Sequence, residues 1–393
     1  MLVHVDSRAR VPIMNWASDL TEGALDQAVN LAALPFVYHH VALMPDAHVG
    51  YGMPIGGVLA TFGSVIVPNA VGVDIGCGVY AVQTDVPELT GEQLKSVMGG
   101  IRQRIPVGHA HHQTPQYMSM LSSWPEPSDA RAYPVTHCLY EDAAKQVGTL
   151  GGGNHFIELQ QGPTSVWITI HSGSRNIGYK VANYYNGVAK QMNSRWYTQV
   201  PREADVAFLP LDDESGLNYL TEMNLCCHFA KKNRQVMMAR CLGALHYIMG
   251  TKPDILMEVH TAHNYAQMEN HYGENVMVHR KGAVRSQLDE QVVIPGSMGT
   301  KTYIASGLGC VESFQSCSHG AGRQMGRKEA TVKLDLEAEI SRMDALGIVH
   351  GLRTKADLDE APGAYKDIDA VMAAQAELVT PQIALRPLGV IKG

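Results

Sequence analysis

The chain has 393 residues, of which 45% are apolar and 18% are charged, and its formal net charge at pH 7 is -7. This composition is typical of a globular protein with a large buried core, and it excludes a largely disordered chain. The acidic balance also excludes attraction of nucleic acid by a global positive field, so a polyanionic substrate would need local positive charge or a metal.

Membrane and secretory proteins are disfavoured by the distribution of apolar residues. No apolar run approaches the ~20 residues that cross a bilayer, and residues 1–16 lack the apolar stretch of a secretory signal. The seven cysteines are an odd number, and no C-x-x-C pair occurs among them. The sequence therefore predicts free thiols, a cytoplasmic location and no membrane association.

Along the chain, short apolar runs alternate with glycine-rich segments. Residues 63–83 are typical of short strands broken by Gly and Pro, residues 166–170 of a buried strand, and residues 292–307 of a strand–loop–strand unit. The polar stretch 112–130 is predicted to be a surface loop. Helical spacing of apolar residues predicts helices over 214–250 and 334–347. In the first of these, the apolar stripe comprises Leu220, Met223, Cys227, Ala230, Met237 and Cys241.

These elements predict an α/β (α+β) fold that forms a single domain over residues 1–393. A β-rich core would be surrounded by helices, with a helical segment at about 180–250. We find no internal repeat, low-complexity segment or clear linker that would divide the chain.

Four segments repeat one design, in which an apolar strand is expected to lead into a loop that carries His, Asp or Cys beside glycine or asparagine. They are residues 74–77, 151–158, 170–175 and 260–266. Loops at strand ends are the usual place for functional residues. The repetition therefore favours a shared site.

Asp74 and Cys77 lie in one glycine-rich turn, and His155, His171 and His263 lie in the other three segments. Thiolate, imidazole and carboxylate together suit Mn, Fe, Co or Zn, whereas Mg and Ca prefer oxygen ligands alone. Taken singly, each His or Cys is more often a structural residue. The shared design of the four loops favours the metal site.

The remaining histidines are interpreted as structural or solvated. His109, His111 and His112 adjoin the polar stretch and are expected at the surface. A second group is expected to be structural, in a helix-like context: His39, His40, His228, His246 and His350. The roles of His260 and His271 stay open at this stage.

Phosphate binding is suggested by polar residues on glycine-rich backbone, although neither a P-loop nor a GxGxxG motif is present. The segment CSHGAGRQMGR (317–327) joins His319 to glycines and arginines. His319 could be a ligand, a proton shuttle or a nucleophile. Arg175 and Arg323 can each fork onto a phosphate, or form surface ion pairs. Residues 280–285 carry a further basic group that could contact a polyanion or form a solvated face.

Read together, these motifs resemble the RtcB family of GTP-dependent RNA ligases, in the family's order and over nearly the whole chain. The segments 74–78 (DIGCG) and 318–323 (SHGAGR) are the most specific to it. The matching segments are MPDAHVGYG (44–52), NAVGVDIGCGV (69–79), GTLGGGNHFIE (148–158), HSGSRNIG (171–178), HNYA (263–266), RKGAV (280–284), PGSMG (295–299), CSHGAGR (317–323), AYKDIDAVM (364–372) and VIKG (390–393).

The resemblance implies the fold of that family and a site for two manganese ions. Cys77 would bridge both ions, Asp74 and His155 would hold one, and His171 and His263 would hold the other. His319 would attack the α-phosphate of GTP, and Asp46 would orient or deprotonate it. The resulting histidine–GMP would activate an RNA 3′-phosphate, or an opened 2′,3′-cyclic phosphate, for joining to a 5′-hydroxyl end.

The resemblance also implies roles for residues around the nucleotide and the RNA. Glu158 and Tyr365 would meet the guanine base, and Arg175 and Arg323 would hold RNA or the transferred phosphate. The other nucleotide-binding residues would be Asn154, Asn264, Ser297, Gly320, Ala321, Gly322 and Lys392. Expected partners are tRNA halves or cleaved RNA, and an archease-type activator is a candidate partner.

Two other functions are compatible with these motifs. An end-capping nucleotidyltransferase or cyclic phosphodiesterase would use the same residues without joining strands. An RNA-binding accessory protein would need neither the metal ligands nor a nucleophile. The intact set of candidate ligands, together with His319, favours the enzymes.

Overall fold

The computed structural model describes residues 1–116, 124–196, 198 and 200–393. Within these ranges the helices are α1 (Glu22–Ala32), α2 (Gly91–Arg104), α3 (Tyr140–Gln146), α4 (Arg175–Arg195), α5 (Glu214–Met249), α6 (Arg327–Lys333), α7 (Leu336–Ala345) and α8 (Ile368–Ala374). The strands are β1 (Leu2–His4), β2 (Ile13–Asn15), β3 (Val37–His48), β4 (Ile55–Phe62), β5 (Val65–Ile66), β6 (Gly78–Thr84), β7 (Phe156–Gln161), β8 (Val166–Ser172), β9 (Leu209–Pro210), β10 (Ile255–Ala262), β11 (Asn264–His271), β12 (Glu274–Lys281), β13 (Ala283–Arg285), β14 (Gln291–Pro295), β15 (Thr302–Gly307), β16 (Ser316–Ser318) and β17 (Val379–Lys392).

Two large sheets form the β-rich core. One has the strand order β1-β2-β3-β4-β12-β11, and the other has the order β10-β6-β8-β7-β17-β15-β14. In the second sheet every neighbouring pair is antiparallel. The edge strands β10 and β14 contact each other, so this seven-stranded sheet is nearly closed. The predicted mixed α/β fold with a β-rich core is confirmed; the single-domain organisation stays a prediction.

The two faces of the seven-stranded sheet serve different purposes. Side chains alternate between faces along a strand. Ile168 and Ile170 of β8 therefore pack in a core cluster that includes side chains of α2 and α5. His171 and Trp167 face the other way, and Trp167 packs against the other strands of the same sheet. His171 therefore shares the face of Trp167, and it lies near the end of β8.

The long helix α5 confirms the helix predicted over 214–250. Asp213 caps its first turn by accepting from the amide of Ser215, and Gly250 ends it in the left-handed conformation that favours glycine. The helix predicted over 334–347 is shorter. Residue Leu334 has extended backbone, and the side chain of Asp335 accepts from the amide of Ala338, which starts α7 anew.

The expected order of strand then loop is wrong for two of the four segments. The turn with Asp74 and Cys77 precedes β6, and His155 precedes β7. Only His171, at the end of β8, and His263, after β10, follow their strands. Apolar runs mark strands, but they do not say which end of a strand carries the functional loop.

Several expectations for histidines and basic residues are also corrected. His39 and His40 lie on β3 rather than in a helical context, and His40 is buried and stacks on Phe314. Arg280 is fully buried and forms a bidentate ion pair with Glu269, so it does not belong to a solvated face. A run of basic residues in a strand cannot be distinguished from a surface patch by sequence spacing alone.

The expectations for the other histidines are confirmed only in part. His350 is buried outside the helices and approaches Asp344, whereas His228 and His246 are exposed on α5. His109 and His111 are exposed as expected, but His112 is half-buried and contacts Arg240.

Part of the polar stretch 112–130, residues 117–123, lies outside the described residues. In the described part Trp124 is buried, against the expectation of a surface loop. All seven cysteines are free thiols, as predicted. None of the helices in the described ranges has the length and hydrophobicity that crossing a membrane requires.

Candidate active site

The five candidate metal ligands meet at one end of the seven-stranded sheet. Neighbouring antiparallel strands run in opposite directions, so the starts of β6 and β7 lie beside the ends of β8 and β10. The register shows this directly: Phe156 and Val79 both pair with His171, and Gly78 pairs with Ala262. The topology therefore brings together residues that are far apart in sequence.

The ligand atoms form two groups that share Cys77. One group contains Cys77, His171 and His263, and the other contains Asp74, Cys77 and His155; within each group the ligand atoms lie within 4.8 Å of one another. The Cys77 Sγ atom lies 3.2 Å from His171 Nε2 and 3.5 Å from His155 Nε2. His171 Nε2 lies 3.3 Å from His263 Nε2, and His155 Nε2 lies 3.0 Å from an oxygen of Asp74.

These separations of 3.0–3.5 Å are close to those of ligands that surround a cation. Bonds of ~2.0–2.3 Å to nitrogen, sulfur and oxygen place tetrahedral ligands roughly 3.3–3.8 Å apart. His155 is oriented for this purpose, because its Nδ1 can only donate to the Leu150 carbonyl, 3.0 Å away, which leaves the lone pair of Nε2 in the cluster. A Cβ atom on Gly173 would lie 2.0 Å from Asp74 Oδ1, so glycine is required there for the carboxylate to approach.

The protonation states of the cluster also suit a metal. Burial lowers the pKa of His171 and His263 well below the ordinary value, and neighbouring histidines lower it further. Both imidazoles are therefore neutral and able to ligate. Burial raises the pKa of the Cys77 thiol well above its usual range, and the Asp74 carboxylate raises it further. A bound cation would reverse that shift by stabilising the thiolate.

His319 lies next to the metal-ligand cluster, and a carboxylate holds its ring. It directly follows β16, and its ring centroid lies 4.8 Å from that of His263. One oxygen of the fully buried Asp46 accepts from His319 Nδ1 at 2.6 Å and from the His319 amide at 3.1 Å. Because Nδ1 is the donor, the lone pair of Nε2 remains available for attack.

The backbone around this pair is closely packed. Gly322 has a φ of 72°, and a Cβ atom there would lie 2.4 Å from the carbonyl oxygen of Asp46. The second oxygen of Asp46 is buried without a hydrogen-bond partner among the described residues. Among the described residues, the carboxylate of Asp46 therefore accepts hydrogen bonds from His319 alone.

Two of the residues proposed for the nucleotide, Glu158 and Lys392, lie on β7 and β17, and this side of the cluster is here called the nucleotide flank. Lys392 pairs with Phe156 at the end of β17, so a residue beside the C-terminus is held in the sheet rather than frayed. The Ala321 amide donates to the Pro295 carbonyl, which brings residues 320–322 close to Ser297. Tyr365 forms an isolated bridge with Arg323.

Glu158 lies on the same flank in an unusual electrostatic environment. Burial raises its pKa to about 8, although Lys392 and a hydrogen bond from Gln160 act in the opposite direction. At neutral pH the carboxyl group is therefore mostly protonated. Asn154 is half-buried beside His155.

Glu360, which the sequence did not single out, is at the centre of the nucleotide flank. It ends the 3-10 helix Lys355–Glu360 and is 4% exposed. Its carboxylate contacts Arg323 at 3.2 Å, Arg327 at 3.0 Å and Lys392 at 3.4 Å, and it accepts from the hydroxyl of Tyr365. One carboxylate thus gathers three cations. A lone Glu in a polar segment gave no signal of this role.

Two of the proposed binding residues make internal contacts. Asn264 donates to the Asp74 carbonyl at 3.0 Å and accepts from the Gly282 amide at 2.8 Å, so its amide side chain holds the turn of the metal ligands. Arg175 adopts a φ of 60° and donates to Thr149 and to the Gly108 carbonyl. Both residues adjoin the metal-ligand cluster rather than the nucleotide flank.

Two adjacent polar residues of α5, Asn233 and Arg234, hydrogen-bond to the segments that carry the metal ligands. Neither residue was identified from the sequence. Asn233 accepts from the Gly148 amide at 2.7 Å and donates to Ser172 Oγ at 3.2 Å. Arg234 is 1% exposed and donates to the carbonyls of Gly76, at 2.9 Å, and Ser172, at 2.6 Å. Adjacent polar residues within an apolar helix are the one available signal.

Comparison with known proteins shows which family the chain belongs to. Residues 27–393 match the family described as tRNA-splicing ligase RtcB. The chain belongs to the RtcB family. An RNA-splicing ligase RtcB of Escherichia coli K12 is 38% identical, with 97% of each chain covered.

More distant RtcB relatives are also matched along most of their length. The tRNA-splicing ligase RtcB of Thermococcus kodakarensis is 30% identical, covering 99% of this chain and 96% of the relative. An RNA-splicing ligase RtcB of Mycobacterium tuberculosis is 30% identical, covering 93% of this chain and all of the relative. The family suspected from the sequence motifs is thus confirmed.

Proposed function

We propose that this RtcB-family protein is an RNA ligase that joins RNA 3′-phosphate or 2′,3′-cyclic phosphate ends to 5′-hydroxyl ends, with GTP and manganese. The reaction is of the EC 6.5.1.8 type, and its substrates would be tRNA halves or cleaved RNA. The family supplies the ligase class, since its relatives are named RNA-splicing or tRNA-splicing ligases. The proposed setting is the cytoplasm, with an archease-type protein as a candidate activator.

The observation that carries the proposal is the hydrogen bond from His319 Nδ1 to Asp46, beside a cluster of metal-binding atoms. It leaves Nε2 available as a nucleophile beside the metal-ligand cluster. Asp74, Cys77 and His155 would hold one manganese ion, and Cys77, His171 and His263 would hold the other. Bound there, the ions would supply Lewis-acid stabilisation of phosphoryl charge.

In the first step the lone pair of His319 Nε2 attacks the α-phosphorus of GTP. An N–P bond forms, the bond between the α-phosphorus and its bridging oxygen breaks, and pyrophosphate leaves. The hydrogen bond to Asp46 keeps the proton on Nδ1 of His319, and the carboxylate stabilises the positive charge that develops on the ring. Covalent catalysis is appropriate because an RNA 3′-phosphate is a poor electrophile until it carries a leaving group.

In the second step an oxygen of the RNA 3′-phosphate attacks the phosphorus of the histidine–GMP, which frees His319 and leaves GMP on the RNA end. In the third step the 5′-hydroxyl oxygen attacks the RNA 3′-phosphorus, and GMP leaves as the strands are joined. A cyclic phosphate end is first opened by water to a 3′-phosphate.

Joining of two labelled RNA strands tests this function. We expect the wild-type protein with GTP and Mn²⁺ to yield joined product from a 3′-phosphate strand and a 5′-hydroxyl strand, and His319→Ala to yield none. Joined product from His319→Ala would overturn the proposal. Opened cyclic ends or GMP-capped ends without joined product from the wild type would instead favour an end-capping enzyme.

A further inference from the structure

The face of the seven-stranded sheet that carries Trp167, here called the inner face, changes from apolar to polar toward the metal-ligand cluster. Trp167, Thr169 and His171 follow one another along this face of β8, because alternate residues of a strand share a face. Trp167 packs in an apolar cluster with side chains of β6, β10, β14, β15 and β17. On β7, Gln160 lies beside Trp167, and Glu158 lies beside Thr169. Polar residues therefore lie between the apolar cluster and the site.

Three buried polar side chains form one chain of hydrogen bonds that ends at Glu158. Thr169 Oγ1 donates to Gln160 Oε1 at 2.6 Å. Gln160 Nε2 donates to Thr302 Oγ1 at 2.8 Å and to Glu158 Oε2 at 2.7 Å. Gln160, Thr169 and Thr302 are all buried. The carbonyl oxygen and both hydrogens of the Gln160 amide are thus engaged, which fixes the orientation of the amide.

This chain of hydrogen bonds is more than packing requires. Burial of amide and hydroxyl groups costs free energy, which their hydrogen bonds largely offset. Apolar side chains fill the neighbouring part of the inner face without that cost. A fully satisfied polar network instead holds each member in one orientation. The network therefore favours a role for Gln160 in directing the Glu158 carboxyl group.

The network also decides how Glu158 faces a ligand. Its Oε2 atom accepts from Gln160, whereas Oε1 has no hydrogen-bond partner among the described residues and is not fully enclosed by them. Each carboxylate oxygen has two lone pairs, so Oε2 can accept from a second donor as well. The carboxylate can thus receive two neighbouring N–H groups in one plane, at an angle that Gln160 sets.

Guanine is the purine that presents such a pair of donors. The N1–H and N2–H groups lie side by side on its Watson–Crick edge, whereas adenine has an acceptor at N1 and no amino group at C2. A carboxylate opposite adenine would leave acceptor facing acceptor. Buried polar groups that are left unpaired are what makes such a site reject the wrong ligand.

We propose that Gln160, held by Thr169 and Thr302, is a positioning residue that aims the Glu158 carboxylate at the donor edge of guanine and so sets the preference for GTP over ATP. The inference rests on the proposed function, in which GTP is the nucleotide. Gln160 is fully buried, so it acts through Glu158 rather than on the nucleotide. Its hydrogen bond also favours the charged carboxylate. Burial raises the pKa of Glu158 to about 8, and Lys392 and then Gln160 act against that increase.

The test begins with Gln160→Met, which keeps the length of the side chain but removes its hydrogen bonds. The rate of histidine–nucleotide formation is measured at varied GTP or ATP, with Mn²⁺, between pH 6.5 and 9. We expect KM for GTP to rise about tenfold, as for the loss of one hydrogen bond to a charged group, while the maximal rate and KM for ATP stay unchanged. The pH midpoint of kcat/KM for GTP should rise by about one unit, because the carboxylate loses a donor.

Thr169→Val and Thr84→Val provide a matched comparison. Each removes one fully buried hydroxyl group from the same sheet, but Thr84 donates to the Val166 carbonyl and lies outside the network that ends at Glu158. Thr169→Val frees the Gln160 amide to turn, so the preference for GTP over ATP should fall about threefold. Thr84→Val should keep the wild-type preference. If Gln160→Met does not fold, this pair decides.

The outcomes separate the two levels of the account. If the wild type forms histidine–GMP, but the GTP preference and the pH midpoint are unchanged in Gln160→Met and Thr169→Val, the positioning role is overturned and the ligase function stands. Equal losses with GTP and ATP, accompanied by a lower melting temperature, would also overturn it in favour of a structural role. If the wild type forms no histidine–GMP, the proposed function itself fails.

Discussion

The metal-ligand cluster and the nucleotide flank are built in opposite ways. The cluster brings the imidazole nitrogens and the Cys77 sulfur to within 3.2–3.5 Å of one another, ready to surround a cation. On the nucleotide flank, the charges of Arg323, Arg327 and Lys392 are already engaged by Glu360. The first region is preorganised for its ligand, whereas the second must exchange an internal partner for phosphate.

The difference has a structural origin. The cluster is held by the ends of hydrogen-bonded strands, and a helix fixes it from behind through Asn233 and Arg234. On the nucleotide flank, Glu360 ends one 3-10 helix and Tyr365 directly follows another, so neither residue is held by hydrogen-bonded strands of the large sheets. We therefore expect substitutions in the cluster to cost more activity than substitutions around Glu360.

Removing the shared ligand should have the largest effect. Cys77→Ala deletes the donor common to both ligand groups, so we expect the affinity for both ions to fall by more than about 100-fold, and joining to be lost. Metal content after dialysis and the strand-joining rate measure this. Cys226→Ala is the control, since Cys226 is a buried free thiol outside the cluster. Full metal content in Cys77→Ala would contradict the assignment of Cys77.

Asp46 lies where the two regions meet, and its substitution should separate chemistry from metal binding. Asp46→Asn allows the wrong tautomer of His319, and the same change behind a catalytic histidine elsewhere costs about 10⁴-fold in rate. We expect a comparable loss in the rate of histidine–GMP formation at unchanged metal content. An unchanged rate would mean that Asp46 does not orient the nucleophile.

Arg234 contacts none of the metal-ligand side chains, so its substitution tests how far the cluster depends on the backbone that holds it. Arg234→Met removes the donors that fix the carbonyls of Gly76 and Ser172, so the metal affinity should fall about 10- to 100-fold. Metal titration measures this, with thermal unfolding of the metal-free protein as the stability control. Partial recovery of metal affinity in Arg234→Lys would support positioning. Equal losses in the two variants, matched by equal losses of stability, would indicate a purely structural role.

Substitution of Glu360 should strengthen the binding of a ligand, whereas substitution of the cluster residues should weaken it. Glu360→Gln removes the internal competitor of phosphate, so GTP should bind about fivefold more tightly, as expected for one ion pair of ~1 kcal/mol. The melting temperature should fall, because Arg323 loses a buried partner. Asp369→Asn, which breaks an exposed pair with Lys301, is the control. Weaker GTP binding in Glu360→Gln would show that Glu360 helps the nucleotide.

The smallest effect concerns pH on the nucleotide flank. If guanine is bound by the carboxylate form of Glu158, whose pKa is raised to about 8, GTP affinity should rise by at most about tenfold per pH unit up to pH 8. Isothermal titration between pH 6 and 8.5 measures this, and Glu158→Gln should flatten the profile. Because the folded-state pKa is raised from the ordinary 4.5 to about 8, the stability contribution of Glu158 should fall as the pH rises from 4.5 to 8 and level off above pH 8. A flat wild-type affinity profile would contradict the guanine contact.

The sequence allowed the residues with distinctive chemistry to be found, but not the packing between elements. Cys77 and the histidines stood out by type and by their glycine-rich setting, and the structure brings them together. Asp74 and His155 were expected after their strands but precede them, because the apolar pattern does not say which end of a strand carries the functional loop. Arg234 and Glu360 were missed, since their roles depend on burial and on partners that only tertiary packing supplies.

The central claim is that His319 is a nucleophile that takes GMP from GTP beside the metal-ligand cluster. Incubation of the pure protein with Mn²⁺ and GTP labelled at the α-phosphate, followed by denaturing electrophoresis and intact-mass measurement, tests it most directly. The account predicts a covalent GMP adduct in the wild type that is absent from His319→Ala. No adduct with any divalent metal, or an adduct that persists in His319→Ala, would contradict it.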